Sequence, residues 1–223
     1  MESSDTLRIF RRESPVKVLG PYSRAVIWVQ GCHFACPNCI VPESWAMDGG
    51  DLFSIEASKH WVLAQPDIEG LTISGGEPMQ QAGPLCSLID SIKAVRDLGV
   101  VCYTGYAREY LTDRGTDAQR DLLARIDLLI DGVYIESRHS SLLWRGSENQ
   151  RLHQLTTRYE NYIAERIVQS GDKSAGVEVV LDSDGGISYA GVPEKPGFRD
   201  SFINGMNARG IKLGYQLSKA EAG

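Results

Sequence analysis

Long apolar runs are absent from this chain of 223 residues, whose uninterrupted hydrophobic stretches span only a few residues each. A helix that crosses a bilayer needs roughly 20 such residues. The first residues, Met1–Asp5, are polar and acidic and lack the basic-then-apolar layout of a signal peptide. We therefore expect a cytoplasmic protein with no membrane partner.

A surplus of basic residues is also missing, because 29 acidic residues outnumber 23 basic ones and the net charge is -6. Nucleic-acid binders normally carry a basic surplus, so we expect no nucleic-acid partner. Cysteines are few as well. There are five, an odd number, and three of them are clustered, which suits reduced thiols better than a secreted disulfide framework.

Short apolar runs alternate with stretches of helical periodicity through the first two thirds of the chain. The β-branched and aromatic run Arg24–Gln30 is typical of a strand buried on both faces. Further strands are predicted at residues 71–74, 100–104 and 128–132, with helices at residues 54–65, 85–99 and 117–126. This order predicts an α/β fold with a mainly parallel sheet.

We divide the chain into three regions. Residues 1–15 are predicted to be a loosely held leader, and residues 16–135 form the core. Residues 136–223 are predicted to complete the fold as an irregular C-terminal extension that offers a possible substrate or partner surface. Two apolar runs flanking Asp182–Gly185 predict a β-hairpin within this extension.

Small or polar residues follow each predicted core strand. Because ligands of parallel sheets bind beyond the carboxyl ends of the strands, these turns should meet at one edge and form a site. The turns are residues 31–39, 75–77, 104–105 and 131–132. Cys86 and Cys102 fall within a predicted helix and strand, where ordinary buried thiols are expected.

The first of these turns carries Cys32, Cys36 and Cys39 in a Cys-x3-Cys-x2-Cys spacing. A zinc site normally takes four protein ligands, or three and a water, and no fourth cysteine lies nearby. Three thiolates from one loop match three irons of a 4Fe–4S cluster and leave the fourth iron open to a small-molecule ligand. This spacing favours a cluster at which chemistry takes place.

The cysteine trio, together with Ser74–Pro78, resembles the two signatures of the radical S-adenosylmethionine superfamily. The resemblance implies a partial β/α barrel that binds a 4Fe–4S cluster and S-adenosylmethionine. Reductive cleavage of that cofactor would yield a 5′-deoxyadenosyl radical that abstracts hydrogen from a substrate. The resemblance implies that Cys32, Cys36 and Cys39 bind the cluster, and it leaves the catalytic residues unassigned.

Residues beside the cysteines are candidates for binding S-adenosylmethionine. Gly75 and Gly76 would let the backbone approach the methionine moiety, and Glu77 would accept a hydrogen bond from its ammonium group. The remaining candidates are Ser74, Thr104 and Asn38. Many members of the superfamily have an aromatic residue against the adenine where this chain has Asn38, so something else must hold that ring.

Within the superfamily, the chain most resembles anaerobic ribonucleotide reductase activating proteins, which are glycyl-radical activases. The resemblance implies a large glycyl-radical enzyme as partner and a reductant such as flavodoxin or ferredoxin. The matching segments are Leu19–Pro21, Val26–Cys32, Trp45, Tyr103–Tyr106 and Leu129–Gly132.

Two alternatives remain open at this point. One keeps the radical chemistry but has the enzyme act directly on a small molecule or short peptide. The other is a zinc-stabilised binding module without catalysis. Arg145, Gln150 and Arg151 are a possible substrate or partner surface, although a solvated loop is the simpler interpretation of that stretch.

Overall fold

The computed structural model describes residues 5–181 and 187–211. A mixed seven-stranded sheet forms its centre, and two smaller hairpins pack nearby. The strands are β1 (Thr6–Val16), β2 (Arg24–Val29), β3 (Asp51–Ser54), β4 (Gly70–Gly75), β5 (Gly99–Tyr103), β6 (Leu128–Asp131), β7 (His139–Leu142), β8 (Arg145–Ser147), β9 (Arg151–Gln154), β10 (Gly176–Leu181) and β11 (Ile187–Val192). The helices are α1 (Ile55–Leu63), α2 (Ala82–Lys93), α3 (Arg108–Arg114), α4 (Asp117–Leu123), α5 (Glu160–Ser170) and α6 (Phe198–Asn207).

The central sheet has the strand order β3-β1-β2-β4-β5-β6-β9. Its four inner strands, β2, β4, β5 and β6, run parallel, as their alternation with helices predicted. The strands β3, β1 and β9 are antiparallel to their neighbours. The sheet is therefore parallel only among its four inner strands, whereas we expected a mainly parallel sheet.

The N-terminal residues are not a loosely held leader. Strand β1 pairs with both β2 and β3, and its Leu7 and Ile9 are almost completely buried in the main core. The prediction for residues 1–15 is therefore wrong from Thr6 onward. Leu7 and Ile9 occupy alternate positions, so both face the same side of the sheet.

Strand β2 is buried along its whole length because both faces of the sheet are covered. Ala25, Ile27 and Val29 face a core that also contains buried residues of α1, α2 and α4. Val26 and Trp28 face the opposite side, where the C-terminal part of the chain packs. The central sheet is thus sandwiched between helices on one face and C-terminal elements on the other.

The C-terminal part is more ordered than we predicted. The stretch around Arg145 and Arg151 forms strands β8 and β9 and is not a solvated loop. Helix α5 buries Tyr159 and Ile163 against the sheet, together with Trp144. The predicted hairpin is confirmed as β10 paired antiparallel with β11, while its turn residues, Asp182–Gly185, lie outside the described residues.

Helix α1 begins where its sequence indicates, because the Ser54 hydroxyl accepts a hydrogen bond from the Ala57 amide. Helix α2 is shorter than we predicted: it ends at Lys93, and Gly99 begins the next strand. In the described part of the chain, no helix is both long enough and apolar enough to cross a membrane.

Candidate functional site

The site lies at the carboxyl ends of the four parallel strands, where the turns after β2, β4, β5 and β6 converge. A cavity of about 120 Å³ is lined by residues from all four turns. Eight of the nine residues predicted from the sequence line it: Cys32, Cys36, Cys39, Ser74, Gly75, Gly76, Glu77 and Thr104. The ninth, Asn38, lines a neighbouring larger cavity.

The cysteine loop is held by backbone hydrogen bonds to the chain that returns from it. The Gly31 amide donates to the Ser44 carbonyl over 2.8 Å, and the Cys32 amide donates to the Trp45 carbonyl over 3.1 Å. The buried Gln30 side chain donates to the Ala46 carbonyl over 2.7 Å and so fixes the same returning segment. The loop is therefore shaped before any ligand binds.

The three cysteine thiols are half-buried and free. Burial raises the pKa of each thiol above its usual value, while nearby N–H groups lower it. These donors are the amides of Phe34 and Ala35 for Cys32, the amide of Tyr134 for Cys36, and the Val41 amide and the Trp45 side chain for Cys39. These hydrogen bonds favour the thiolate and oppose the larger effect of burial.

The three cysteines line one cavity from a single loop. In residues 5–181 and 187–211, no three His, Cys, Asp or Glu side chains are grouped closely enough to hold a single metal ion. A tetrahedral zinc site gathers its ligands around one ion, whereas in a cluster each thiolate binds a different iron.

Gly75 and Gly76 are required by the packing of the chain against itself. Gly75 has a φ of +98°, and a Cβ atom there would lie 2.6 Å from the Val29 amide nitrogen. A Cβ atom on Gly76 would lie 2.2 Å from the Gly31 carbonyl oxygen. The turn after β4 thus presses directly on the start of the cysteine loop, and only glycine fits at this approach.

Glu77 is buried, and its side chain joins the turn after β4 to the turn after β5. Its Oε1 accepts hydrogen bonds from the Thr104 hydroxyl at 2.7 Å and the Met79 amide at 2.9 Å. Its Oε2 accepts from the Gly105 amide at 2.8 Å. Burial outweighs these donors and raises the pKa of Glu77 to about 7.

Thr104 is committed to the same network. Its hydroxyl donates to Glu77 and accepts a hydrogen bond from the Tyr106 amide over 3.2 Å. The hydroxyl therefore orients the glutamate, a role that its position at a strand end did not reveal.

Asn38 is exposed and has a φ of +57°, in the left-handed region. Asparagine tolerates this conformation better than an aromatic residue, which explains its presence in physical terms. A neighbouring loop residue, Ala35, also has a positive φ of 43°. Both residues therefore lie where the cysteine loop winds tightly.

A larger cavity of about 380 Å³ adjoins the first and shares seven lining residues with it: Cys36, Cys39, Trp45, Ser74, Tyr103, Tyr134 and Gln150. Its walls are rich in aromatic side chains: Trp28, Trp45, Tyr103, Tyr134, Trp144, Tyr189 and Phe198. Within the described residues, the buried Tyr103 hydroxyl and the Trp144 indole nitrogen have no hydrogen-bond partner. Burial raises the pKa of Tyr103, so its hydroxyl is neutral.

Aromatic contacts fix the outer side of the cysteine loop. The Phe34 ring packs against Gly105, where a Cβ atom would lie 2.6 Å from it, and against Tyr106 with ring centroids 5.0 Å apart. The exposed His33 ring packs in tilted contact with the rings of Phe34 and Tyr106. Sequence reasoning missed Phe34, although an aromatic residue between two cysteines of an exposed loop was a usable signal.

Several other polar residues that the sequence highlighted have structural partners. Asp131 is fully buried and accepts from the Arg108 amide at 2.7 Å and from Arg151 at 2.9 Å. Arg145 pairs with Asp172. Gln150 lines both cavities and donates to the Gly132 carbonyl at 2.9 Å. Of the three residues 145, 150 and 151, only Gln150 lies at the site.

Comparisons with known proteins agree with this geometry. A family model described as a 4Fe-4S single cluster domain matches residues 18–153, which include all four converging turns. The chain is also similar to proteins named anaerobic ribonucleoside-triphosphate reductase-activating protein. The protein of Enterobacteria phage T4 is 34% identical over 140 residues, or 60% of this chain and 86% of the phage protein.

Two bacterial proteins of the same name show similar coverage. The Vibrio cholerae protein is 32% identical over 152 residues, covering 64% of this chain and 95% of that protein. The Escherichia coli protein is 30% identical over 152 residues, covering 63% and 95% respectively. These relatives indicate that the chain is an iron–sulfur enzyme of the activating type. The chain belongs to the family of anaerobic ribonucleoside-triphosphate reductase-activating proteins and contains its 4Fe-4S single cluster domain.

Proposed function

We propose that the protein is a radical S-adenosylmethionine enzyme that activates a glycyl-radical enzyme such as anaerobic ribonucleotide reductase. The observation that carries the proposal is the single cavity lined by three cysteines and the Gly75-Gly76-Glu77 turn, at the carboxyl ends of parallel strands. Four parallel strands joined through helices are compatible with a partial β/α barrel. The names of the relatives support ribonucleotide reductase as the target.

In this proposal Cys32, Cys36 and Cys39 are the protein ligands of the 4Fe–4S cluster. The donor set fits, because three thiols from one rigid loop face one cavity and receive N–H hydrogen bonds. When bound, the cluster and S-adenosylmethionine supply a 5′-deoxyadenosyl radical that abstracts a hydrogen atom from the substrate. The protein's part is to bind and orient these groups and to exclude water.

Glu77 is proposed to receive the ammonium group of S-adenosylmethionine. A carboxylate offers about four lone-pair sites, and three of those on Glu77 are filled by Met79, Thr104 and Gly105. One acceptor direction therefore remains for a ligand. Because both carboxylate oxygens are fixed by other groups, the remaining direction is set before the ligand arrives, which lowers the entropic cost of binding.

The larger cavity is proposed to hold the adenosine portion and the substrate. Asn38 lies at its rim, while Trp28, Tyr103 and Tyr189 offer aromatic surface on which a planar base packs well. Ser74 lines both cavities and is positioned where the two halves of the cofactor would meet. In this proposal the aromatic wall takes the place of the aromatic residue that many members of the superfamily have at the position of Asn38.

The cluster assignment is tested by iron analysis after anaerobic reconstitution. Replacing Cys32, Cys36 or Cys39 with Ala should reduce bound iron and sulfide at least tenfold. Cys86→Ala is the matched control, because Cys86 is half-buried on α2 and does not line either cavity. Full iron content in any of the first three variants would contradict the assignment.

The reaction is tested by mixing reconstituted protein with dithionite and S-adenosylmethionine. We expect 5′-deoxyadenosine, and, when an anaerobic ribonucleotide reductase is added, a glycyl-radical signal in electron paramagnetic resonance spectra. Flavodoxin or ferredoxin is the proposed physiological reductant, and the cytoplasm is the proposed location. A reconstituted protein that forms no 5′-deoxyadenosine would refute the radical mechanism.

A second candidate is a radical enzyme that acts directly on a small molecule or short peptide. The observation in its favour is that residues of the C-terminal extension, including Tyr189, Phe198 and Arg199, line the larger cavity. These residues lie beyond residue 153, where the family model ends. Turnover of a small substrate without any radical in a reductase would favour this candidate over the first.

A further inference from the structure

Helix α6 begins at the wall of the larger cavity. Its N-terminal residues Phe198, Arg199 and Asp200 line that cavity, together with Gly197 immediately before the helix. It is the only α-helix in residues 5–181 and 187–211 that has no fully buried residue. Elements with so little burial open at low free-energy cost, so α6 is the least firmly held helix of the described fold.

Within residues 5–181 and 187–211, helix α6 contacts the rest of the fold through an aromatic cluster and an ion pair. Phe198 and Phe202 stack on each other and pack edge-on against Tyr189, with ring centroids 5.5 Å apart in each case. Arg199 forms an ion pair with Glu43, which lies in the 3-10 turn Pro42–Ser44. That turn follows Cys39 closely, so this pair ties α6 directly to the chain leaving the cysteine loop.

The hairpin before α6 is held much more firmly. Residues Ile187–Gly191 of β11 are buried, and the Tyr189 hydroxyl donates to the Ile40 carbonyl over 3.0 Å. The Arg11 side chain donates to the Tyr189 carbonyl over 2.8 Å. Between β11 and α6 lies the segment Pro193–Gly197, in which Gly197 has a φ of +67° and open space around it. This contrast places a hinge between a fixed hairpin and a loosely attached helix.

We propose that α6 is a cover over the substrate cavity, that the Arg199–Glu43 ion pair latches it, and that it lifts about Pro193–Gly197 to admit a macromolecular substrate. The inference rests on the proposed function in taking the larger cavity as the substrate site. A loop of a large partner enters only when the cover is open. Partner affinity is therefore reduced by the fraction of time that the latch is closed.

The latch is tested by hydrogen–deuterium exchange of the cluster-loaded, full-length protein, read out by mass spectrometry. In Arg199→Gln the amides of α6 should exchange roughly two- to fivefold faster, as expected for a partly exposed ion pair, and those of β11 should not change. Glu43→Gln should reproduce this effect, and the exchanged pair Glu43→Arg with Arg199→Glu should restore protection. Arg209→Gln is the matched control, since Arg209 bonds only to the nearby Gly205 carbonyl among the contacts found.

Gating is tested by partner kinetics with the same variants. Opening the cover should lower the apparent KM for the reductase in Arg199→Gln by the same factor as the increase in α6 exchange, and the exchanged pair should return the KM to its original value. Unchanged α6 exchange in Arg199→Gln would overturn the latch, and faster exchange with an unaltered KM would overturn gating. If no reductase is activated at all, the proposed function fails, while the exchange result still decides the latch.

Discussion

At the scale of single residues, Glu77 combines two opposing demands. Three donors are arranged as a carboxylate requires, yet complete burial raises its pKa to about 7. A ligand ammonium group would resolve this conflict, because a nearby positive charge favours the ionised form. Without the ammonium group, the negative charge of Glu77 lowers the stability of the fold near neutral pH.

This cost predicts a pH dependence of stability. Between pH 4.5 and about 7 the unfolded chain releases the Glu77 proton while the folded protein retains it, so folding is progressively weakened as the pH rises through this range. A pKa moved from 4.5 to about 7 corresponds to at most about 3 kcal/mol of unfolding free energy. This contribution is fully present below pH 4.5 and absent well above pH 7.

Glu77→Gln should remove this dependence. Relative to the unmodified protein, the variant should gain up to about 3 kcal/mol between pH 5 and pH 8 in urea unfolding of the cluster-free protein. Glu56→Gln, at an exposed position on α1, is the control and should show no such gain. A difference between Glu77→Gln and the unmodified protein that stays constant with pH would contradict the assigned pKa.

Gly76 gives a second prediction at this scale. A methyl group added there would lie 2.2 Å from the Gly31 carbonyl, so the turn after β4 and the cysteine loop must separate. We expect Gly76→Ala to cost about 2–4 kcal/mol in urea unfolding and to lower iron retention. Gly83→Ala, in α2 with open space around it, should be neutral or up to about 1 kcal/mol more stable. Equal stability of the two variants would contradict the close approach.

The sequence was most informative where function depends on short, local patterns. The cysteine spacing and the strand-end turns predicted a common site because the carboxyl ends of parallel strands share an edge. The roles of individual residues were less accessible. That Thr104 orients Glu77, and that Gly76 accommodates Gly31, depend on contacts between residues 27 and 45 positions apart.

At the scale of secondary-structure elements, β1 shows what was available in the sequence but missed. Leu7 and Ile9 alternate with Thr6 and Arg8, which is the pattern of a half-buried strand. The many charged residues nearby and the position at the chain terminus favoured a loose leader instead. Pairing with β2 decides the outcome, and that pairing is not visible in a short window of sequence.

Strand β1 is therefore expected to be essential for folding. Ile9 is 1% exposed, so Ile9→Ala should cost about 2–5 kcal/mol in urea unfolding, through lost burial and the cavity left behind. Leu52→Ala, in the neighbouring edge strand β3, is the control because Leu52 is 56% exposed, and it should cost less than about 1 kcal/mol. If residues 6–15 contributed nothing to the core, Ile9→Ala and Leu52→Ala would give similar, small losses of unfolding free energy.

The elements of the C-terminal extension were the hardest to predict. The contact of Arg199 in helix α6 with Glu43 joins residues 156 positions apart. Nothing in either local sequence marks such a pair. The same holds for Trp144 and Tyr189, which line the larger cavity from two separate strand pairs. The wall of the substrate cavity is thus a tertiary feature.

At the scale of the whole molecule, the two ends of the sheet have different physical roles. The carboxyl end carries glycine-rich turns that bring the site residues together. The opposite end is pinned by Arg24, which is fully buried and donates to five acceptors: the carbonyls of Pro21, Leu71 and Gly99 and the hydroxyls of Thr72 and Tyr159. One side chain thereby joins β2, β4, β5 and the residue that precedes α5.

Gly70 and Gly99, at the same end of the sheet, leave the space that the Arg24 hydrogen-bond network occupies. A Cβ atom on Gly70 would lie 2.4 Å from the Arg24 guanidinium, and one on Gly99 would lie 2.0 Å from the Tyr159 hydroxyl. Burial lowers the pKa of Arg24, yet five neutral acceptors replace the water that the charge has lost. Because the Arg24 network stabilises this end of the sheet, the opposite end can consist of turns that bury little apolar surface.

Arg24→Met should therefore weaken the fold more than any change at the site. We expect a loss of about 3–5 kcal/mol in urea unfolding, because buried acceptors lose their only charged donor. Tyr159→Phe removes one of the five bonds and should cost about 1 kcal/mol. Arg114→Met, at an exposed position on α3, should have almost no effect. If Arg24→Met lowered the free energy of unfolding no more than Tyr159→Phe does, the Arg24–Tyr159 hydrogen bond alone would account for the contribution of Arg24. The stability of the site end would then have to come from its own turns.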